Sequence, residues 1–347
     1  MTGSRLLRWV PAGVILCVTL AGAPLAGASQ EPDTPAEDTT AQPLIDAPAG
    51  IRWLGYLALF PVVGAVVFRG LARRRVPPPG GDDVARNLAS GARAVGTIAA
   101  LALVGAAALR LYVQVRAVLE PEEAFTIALA GPIISGTAWG SGWTVQAAAA
   151  VAALLGFVVA RRLPTVGWAV AGLGALGAVI ASPLTGHAIE NRWGSRLGVA
   201  LQSIHLLGGA VWLGTLFVLL ATAWGATRRN SGSRREQVVA ALVDGYSPLA
   251  LTGGLTAMAA GVVLGLAYVG SITELWTTTY GRALLIKVAI LVGVAAVGAW
   301  NWRRVRPALG AAPGAGRLRR SATVELVLGT MLLATTAVLV ALPAPRL

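Results

Sequence analysis

Eight long apolar runs, nearly free of charged residues, determine what this 347-residue chain can fold into. A helix of about 20 apolar residues crosses the hydrocarbon core of a bilayer, and a helix satisfies its own backbone hydrogen bonds there. Charged residues make up only 12% of the chain, against about 25% in soluble domains. We therefore predict an all-α polytopic membrane protein, a bundle of about eight transmembrane helices. The predicted spans are 51–70, 93–114, 143–161, 165–186, 197–226, 247–270, 281–302 and 319–342.

The distribution of basic residues predicts how these spans are oriented. The chain has a net charge of +13, and eighteen of its 28 basic residues fall in four connecting segments that alternate with segments poor in Arg and Lys. This positive-inside pattern predicts a plasma-membrane protein with its mature N- and C-termini outside. The excess charge thus reports topology, with the lipid bilayer as partner and no nucleic acid. The four segments are Arg69–Arg93, Arg161–Arg162, Arg228–Arg235 and Arg303–Arg320.

The first 50 residues do not resemble a folded domain. Residues 1–28 have the basic start, apolar centre and small-residue end (Ala26–Ala28) of a signal peptide, and an uncleaved signal anchor is the alternative. Cleavage would remove Cys17, the only cysteine, and with it any disulfide or thiolate site. Residues 29–50 carry several carboxylates among Pro, Thr and Ala, and are predicted to be a disordered acidic linker.

Few side chains in the mature chain can bind a metal ion, and the most informative is His205, which lies in the uncharged run Leu197–Thr227. An ionisable or metal-binding group within a membrane span indicates a functional site. Imidazole and thioether groups suit copper, particularly Cu(I), better than hard cations. A buried histidine bonded to a neighbouring helix, and methionines that only fill space, are the alternatives. The candidate metal ligands are His205, His187, Met258 and Met331.

Several other polar or aromatic residues are placed where they could serve that site. Gln202 and Trp212 fall on the same helix as His205, at spacings of three and seven residues. Lys287 and Glu325 lie inside the seventh and eighth spans but at different depths, so a direct ion pair between them is not expected. The sixth span has a small residue at every fourth position, which favours close helix packing. These residues are Gly253, Ala257, Gly261 and Gly265.

Three segments resemble a known family. Residues 202–214 (QSIHLLGGAVWLG) resemble the histidine-plus-WLG helix of the CopD copper resistance family. Residues 279–287 (TYGRALLIK), with Tyr280 and Lys287, are similar to that family's TxYGRxLLxK segment. Residues 318–326, together with Asn301, resemble its closing pair of helices. The resemblance covers residues 185 to 342.

This resemblance suggests two membrane halves and a role. Residues 51–186 would be an N-terminal four-helix half and residues 187–347 a CopD-like four-helix domain. The family resemblance implies a copper transport or copper resistance protein that works with a periplasmic copper-binding partner of the CopC type. Residues 29–50 contain no His, Met or Cys, so the copper donor would be a separate protein.

The leading hypothesis is therefore a copper ion carried across the membrane by His205, with His187 as the outermost ligand and Met258 and Met331 deeper. Lys287 and Glu325 would set local electrostatics or helix pairing. The sequence has no phosphate-binding loop and no Ser-His-Asp pattern, so we do not expect an enzyme. Two alternatives remain open: a haem-binding membrane electron carrier with two axial histidines, and a scaffold for copper-enzyme assembly.

Overall fold

The computed structural model describes residues 47–75, 82–120, 125–186, 195–227, 233–301, 303 and 314–342. The predicted signal peptide, most of the acidic linker and His187 lie outside these residues. The described part is built of helices: α1 (Ala47–Arg75), α2 (Asp82–Arg116), α3 (Ile127–Gly136), α4 (Ala138–Val159), α5 (Pro164–Ala181), α6 (Ser195–Gly209), α7 (Thr215–Thr227), α8 (Ser233–Tyr268), α9 (Glu274–Thr277), α10 (Thr279–Trp300) and α11 (Gly314–Ala341). A π-helical segment, Ala210–Gly214, joins α6 to α7, and a short 3₁₀ turn, Ser182–Thr185, follows α5.

The predicted membrane architecture is confirmed. Within the described residues, eight helical segments are long and apolar enough to cross a bilayer, and each overlaps one predicted span. α6, the π segment and α7 together form the fifth of them. The protein is therefore an all-α, multi-pass protein of the cell membrane. The predicted sidedness, with basic segments inside, stays a prediction, and "outer" and "inner" below refer to it.

Two helices begin earlier than their spans were predicted to begin. α2 begins at Asp82 and not at residue 93, and α8 begins at Ser233 and not at residue 247. Pro248, one residue after that predicted start, lies inside the helix. The Ser247 hydroxyl donates to the carbonyl oxygen of Val243 (2.8 Å) and so adds no cap. The polar turns that precede the apolar run continue as helix on the inner side.

The connection between α2 and α4 contains a short apolar helix, α3. α3 has only 10 residues, too few to span the bilayer. Ile127 at its start is 85% exposed. Thr137 lies between α3 and α4. Its hydroxyl oxygen accepts a hydrogen bond from the backbone N–H of Gly140 (2.9 Å), which caps the start of α4. This segment therefore lies beside the bundle at its outer end without adding a span.

α1 is the central helix of the bundle and the most buried span. It packs against α2 and α5 in the N-terminal half and against α7, α8 and α11 in the C-terminal half. Leu59, Val62 and Phe68 of α1 are almost completely buried in a core that both halves share. By contrast, α10 is the least buried span. The two predicted halves thus form one packed bundle around α1.

The π segment lies where α1 approaches most closely. A Cβ atom added to Gly64 would lie 2.2 Å from the carbonyl carbon of Gly214, and one added to Gly214 would lie 2.0 Å from the carbonyl oxygen of Phe60. The wide π turn leaves the Trp212 carbonyl able to accept from the Tyr246 hydroxyl on α8 (3.2 Å). Single π turns within α-helices are frequent at functional sites. Here the turn ties α1, α6 and α8 together at mid-bundle.

Gly64→Ala tests this packing. We expect it to destabilise the protein by about 1–3 kcal/mol, because overpacking forces two backbones apart. The measurement is the thermal unfolding midpoint in detergent. Gly70→Ala is the matched control, because a Cβ atom there meets nothing within 4 Å on the same helix. Equal midpoints for the two variants would contradict the packing described here.

Candidate functional site

A cavity of about 100 Å³ lies at one end of the bundle, and all eight spanning segments contribute to its wall. Successive spans run in opposite directions, so this wall comes from the starts of the first, third, fifth and seventh spans and the ends of the others. By the predicted topology it is the outer end. The cavity joins polar residues of both halves, among them Arg52, Tyr56, Arg110, Gln146, Gln202, His205, Tyr268, Tyr280 and Lys287.

His205 is held in this cavity in one tautomer. Its Nδ1 lies 2.6 Å from the carbonyl oxygen of Ala257 on α8. A carbonyl oxygen can only accept, so Nδ1 carries the proton and donates it. In the neutral imidazole Nε2 is then the unprotonated nitrogen, which is the form that binds a metal ion. His205 therefore lies among polar groups inside the bundle and does not point into the lipid.

A small residue of α8, Gly261, makes room for this imidazole, and the predicted ladder of small residues brings the two helices close together. A Cβ atom added to Gly261 would lie 3.0 Å from both Cε1 and Nδ1 of His205. One helical turn away from the ring, a Cβ atom on Gly208 would lie 2.6 Å from the Gly253 carbonyl oxygen, so the two backbones are in contact there. This close approach brings the Ala257 carbonyl within reach of the ring.

Three other predicted residues join His205 around the cavity. Gln202 lies one turn before it on α6, and Tyr280 and Lys287 come from the start of α10. The ring of Tyr280 packs edge-on against Tyr268 of α8, with 6.3 Å between ring centroids. Four of the sequence-predicted residues are thus brought into one site.

The N-terminal half contributes residues that the sequence analysis did not single out. Arg110 of α2 donates to Gln146 Oε1 of α4 (2.8 Å) and to Thr185 Oγ1 after α5 (2.7 Å). Arg52 of α1 donates to the carbonyl oxygen of Val340 on α11 (3.4 Å). A signal for Arg110 was present, since it is a charged residue inside the predicted span 93–114.

The structure does not bring the predicted methionines to His205. Met258 is 42% exposed on the outside of α8, and neither it nor Met331 lines the cavity. His187 lies outside the described residues. Among the residues described, no group of three or more His, Cys, Asp or Glu side chains could hold a metal ion. The roles of both methionines and of His187 as ligands stay predictions.

Trp212 and Glu325 belong to a second polar cluster, deeper in the bundle. Glu325 is 8% exposed, and its carboxyl oxygens accept from Trp212 Nε1 (3.3 Å) and from Asn301 Nδ2 (3.4 Å). Ser321 donates to Asn301 Oδ1. These bonds connect α10, α11 and the π segment. Lys287 lines the outer cavity and Glu325 does not, in agreement with the expectation that they would not pair directly.

The fold and these two polar clusters define a multi-pass helical membrane protein with a small internal site at its outer end. Comparison with family models identifies it further. Residues 46–195 match "Copper resistance protein D-like, N-terminal domain", and residues 240–339 match "Copper resistance protein D". The chain belongs to the CopD copper resistance family. The match includes the N-terminal half, whereas the resemblance found in the sequence covered only residues 185 to 342. Residues 196–239, which include His205, lie between the two matched regions.

One curated relative is the "Copper transport protein CutJ" of Bacillus subtilis (strain 168). The two sequences are 28% identical over 218 residues, which is 60% of this chain and 38% of the relative. The chain thus matches well under half the length of that relative. No solved structure matches the chain.

The tautomer of His205 can be tested directly. The chain has only two histidines, so ¹⁵N-histidine labelling gives a simple NMR spectrum. We expect the Nδ1–H form in the native protein. In Gly261→Ala we expect the hydrogen bond from His205 to Ala257 to be weaker by about 1 kcal/mol, because the added methyl group displaces the ring. Gly265→Ala is the control, since its Cβ atom would meet only Leu284, at 3.9 Å. A dominant Nε2–H form in the native protein would refute the assignment.

Proposed function

We propose that this protein carries copper ions across the cell membrane, with His205 as the principal ligand in the outer cavity. One observation carries the proposal: the imidazole is fixed through Nδ1 to Ala257 and lines a cavity that all eight spans enclose. Metal-binding histidines commonly donate their second ring N–H to an oxygen, which fixes the ring and strengthens the metal bond.

The chemistry of the site and the relatives favour copper over harder cations. Imidazole is a good ligand for copper, whereas Mg²⁺ and Ca²⁺ prefer sets of oxygen ligands that include carboxylates. No Asp or Glu is among the described residues that line the cavity. Membership of the copper resistance family and the name of the Bacillus relative support the same metal.

The position of the cavity suggests where copper would enter. The cavity is at the predicted outer end, and copper would arrive there from a separate periplasmic protein of the CopC type. His187 precedes α6 in the chain and would act as the outermost ligand. Met331 and Met258 would act deeper in the membrane, in contact with copper only after it leaves the cavity. Glu325 holds α10 and α11 to the π segment, a helix-pairing role.

The size of the cavity distinguishes this proposal from haem binding. A volume of about 100 Å³ is below the roughly 300–1,000 Å³ typical of pockets for organic ligands. It holds a metal ion with a few small ligands and not a porphyrin. A scaffold that assists a copper enzyme would need no enclosed site among eight spans, and it would move no metal. The geometry therefore favours a transporter over both alternatives, and the family and the copper transport relative point to a transporter rather than an enzyme.

Copper flux into proteoliposomes that contain only this protein tests the proposal. We expect the native protein to move copper and His205→Ala to reduce the initial rate of flux at least tenfold. Mutation of a residue that only hydrogen-bonds to a metal ligand already lowers metal affinity or activity about 10- to 100-fold, and loss of the ligand itself should cost at least as much. Ile204→Ala is the matched control, since that side chain is 44% exposed on the same helix turn.

Two results would count against this proposal. A native protein that binds copper but moves none would indicate the scaffold. A flux that is equal in His205→Ala and Ile204→Ala would remove His205 from the copper path while leaving transport itself intact.

A further inference from the structure

The outer cavity is lined by cations, which is unusual for a site that accepts a metal cation. Arg52, Arg110 and Lys287 all contribute to its wall, from α1, α2 and α10. Among the described residues that line it, none is Asp or Glu. Like charges placed in a region of low dielectric repel strongly, so a bare copper ion beside His205 would be disfavoured by its surroundings.

The partners of these cations in the described structure are uncharged. Arg110 donates to an amide oxygen of Gln146 and to the hydroxyl of Thr185. Arg52 donates to a backbone carbonyl oxygen. For Lys287 the described residues supply no hydrogen bond and no ion pair, although its side chain lines the cavity. Buried charges in proteins are normally paired, because an unpaired ion loses its hydration without compensation. Among the described residues of the wall, no carboxylate offsets these three positive charges.

We propose that the outer cavity binds a small monovalent anion of the halide class, next to His205. Lys287 would be its principal partner, and Arg110, which lines the same cavity from the N-terminal half of the bundle, would add a second positive charge. Two tyrosines that line the same space, Tyr268 and Tyr280, have hydroxyl groups able to donate to an anion. The site is thus rich in hydrogen-bond donors and positive charge.

The volume of the cavity selects among anions. A cavity of about 100 Å³ is small compared with the roughly 300–1,000 Å³ of pockets for organic ligands. A halide next to a copper ion fits that space, whereas a large organic anion does not. The bound anion offsets the wall charge and so lets copper approach the unprotonated Nε2 of His205.

This anion has a consequence for transport, which rests on the copper transport proposed above. Copper would occupy the cavity together with the halide, as an ion pair whose net charge is lower than that of the bare ion. Halides are also soft enough to remain bound to Cu(I) while an imidazole coordinates it. Copper transport should therefore depend on the presence of halide.

Binding of ³⁶Cl⁻ to the purified full-length protein, without copper, tests the site itself. We expect saturable binding that falls about tenfold or more in Lys287→Met, because a hydrogen bond to a charged group is lost. Lys287→Gln gives a second variant should the first fail to fold, and thermal unfolding checks both. Arg161→Gln is the control: it removes one positive charge from an exposed position at the opposite end of the bundle. Absence of saturable binding, or equal affinities in Lys287→Met and Arg161→Gln, would overturn the proposal.

Copper uptake by proteoliposomes in chloride and in gluconate medium tests the consequence. We expect the native protein to take up copper several-fold faster in chloride than in gluconate, and Lys287→Met to take it up at the same rate in both. Because chloride acts on copper in solution equally for both proteins, a difference between them reports the anion site. Equal rates in both media would overturn the coupled passage while copper transport stands. Chloride binding with no copper uptake in either medium would refute copper transport and leave the anion site supported.

Discussion

The contact between α6 and α8 is the constraint on which the site depends. Glycines at 208 and 253 let the two backbones touch, and Gly261 leaves room for the imidazole of His205. Only because the helices are this close can the ring donate to the Ala257 carbonyl. Within a membrane, polar groups need partners inside the protein. The same small residues thus give His205 Nδ1 its partner and leave Nε2 as the unprotonated nitrogen.

Two polar layers follow from that arrangement. His205, Lys287 and Arg110 surround the outer cavity, whereas Trp212 and Glu325 form a deeper cluster. His205 and Trp212 are seven residues apart, about 10 Å along a helix, so one continuous segment carries a residue of each layer. The π turn at Trp212 also contacts α1 and α8. A change in the conformation of this turn would therefore shift residues of both polar layers.

Much of the fold could be predicted from the sequence, because transmembrane spans require long apolar runs and basic loops indicate topology. The small residues of α8 likewise predicted a close helix contact. Helix ends were less predictable: α2 and α8 continue as helix through polar turns, and Pro248 is tolerated inside α8. The π segment was not predicted, since its residues, including Trp212 and Gly214, are equally compatible with an ordinary helix.

The candidate site was predictable only in part, for physical reasons. His205 and Lys287 attract attention because ionisable groups are rare in spans, and Arg110 could have been found by the same argument. Which of these residues meet depends on how helices pack and rotate, which a single sequence does not determine. Met258 illustrates this, because it lies only one residue from Ala257 and yet faces outward, 42% exposed.

X-ray absorption spectroscopy of copper bound to the purified protein tests the central claim most directly, because it identifies the atoms around the metal. The account predicts the multiple-scattering pattern of a coordinated imidazole, and its loss in His205→Ala but not in Ile204→Ala. A copper spectrum without imidazole, or one that His205→Ala leaves unchanged, would contradict it.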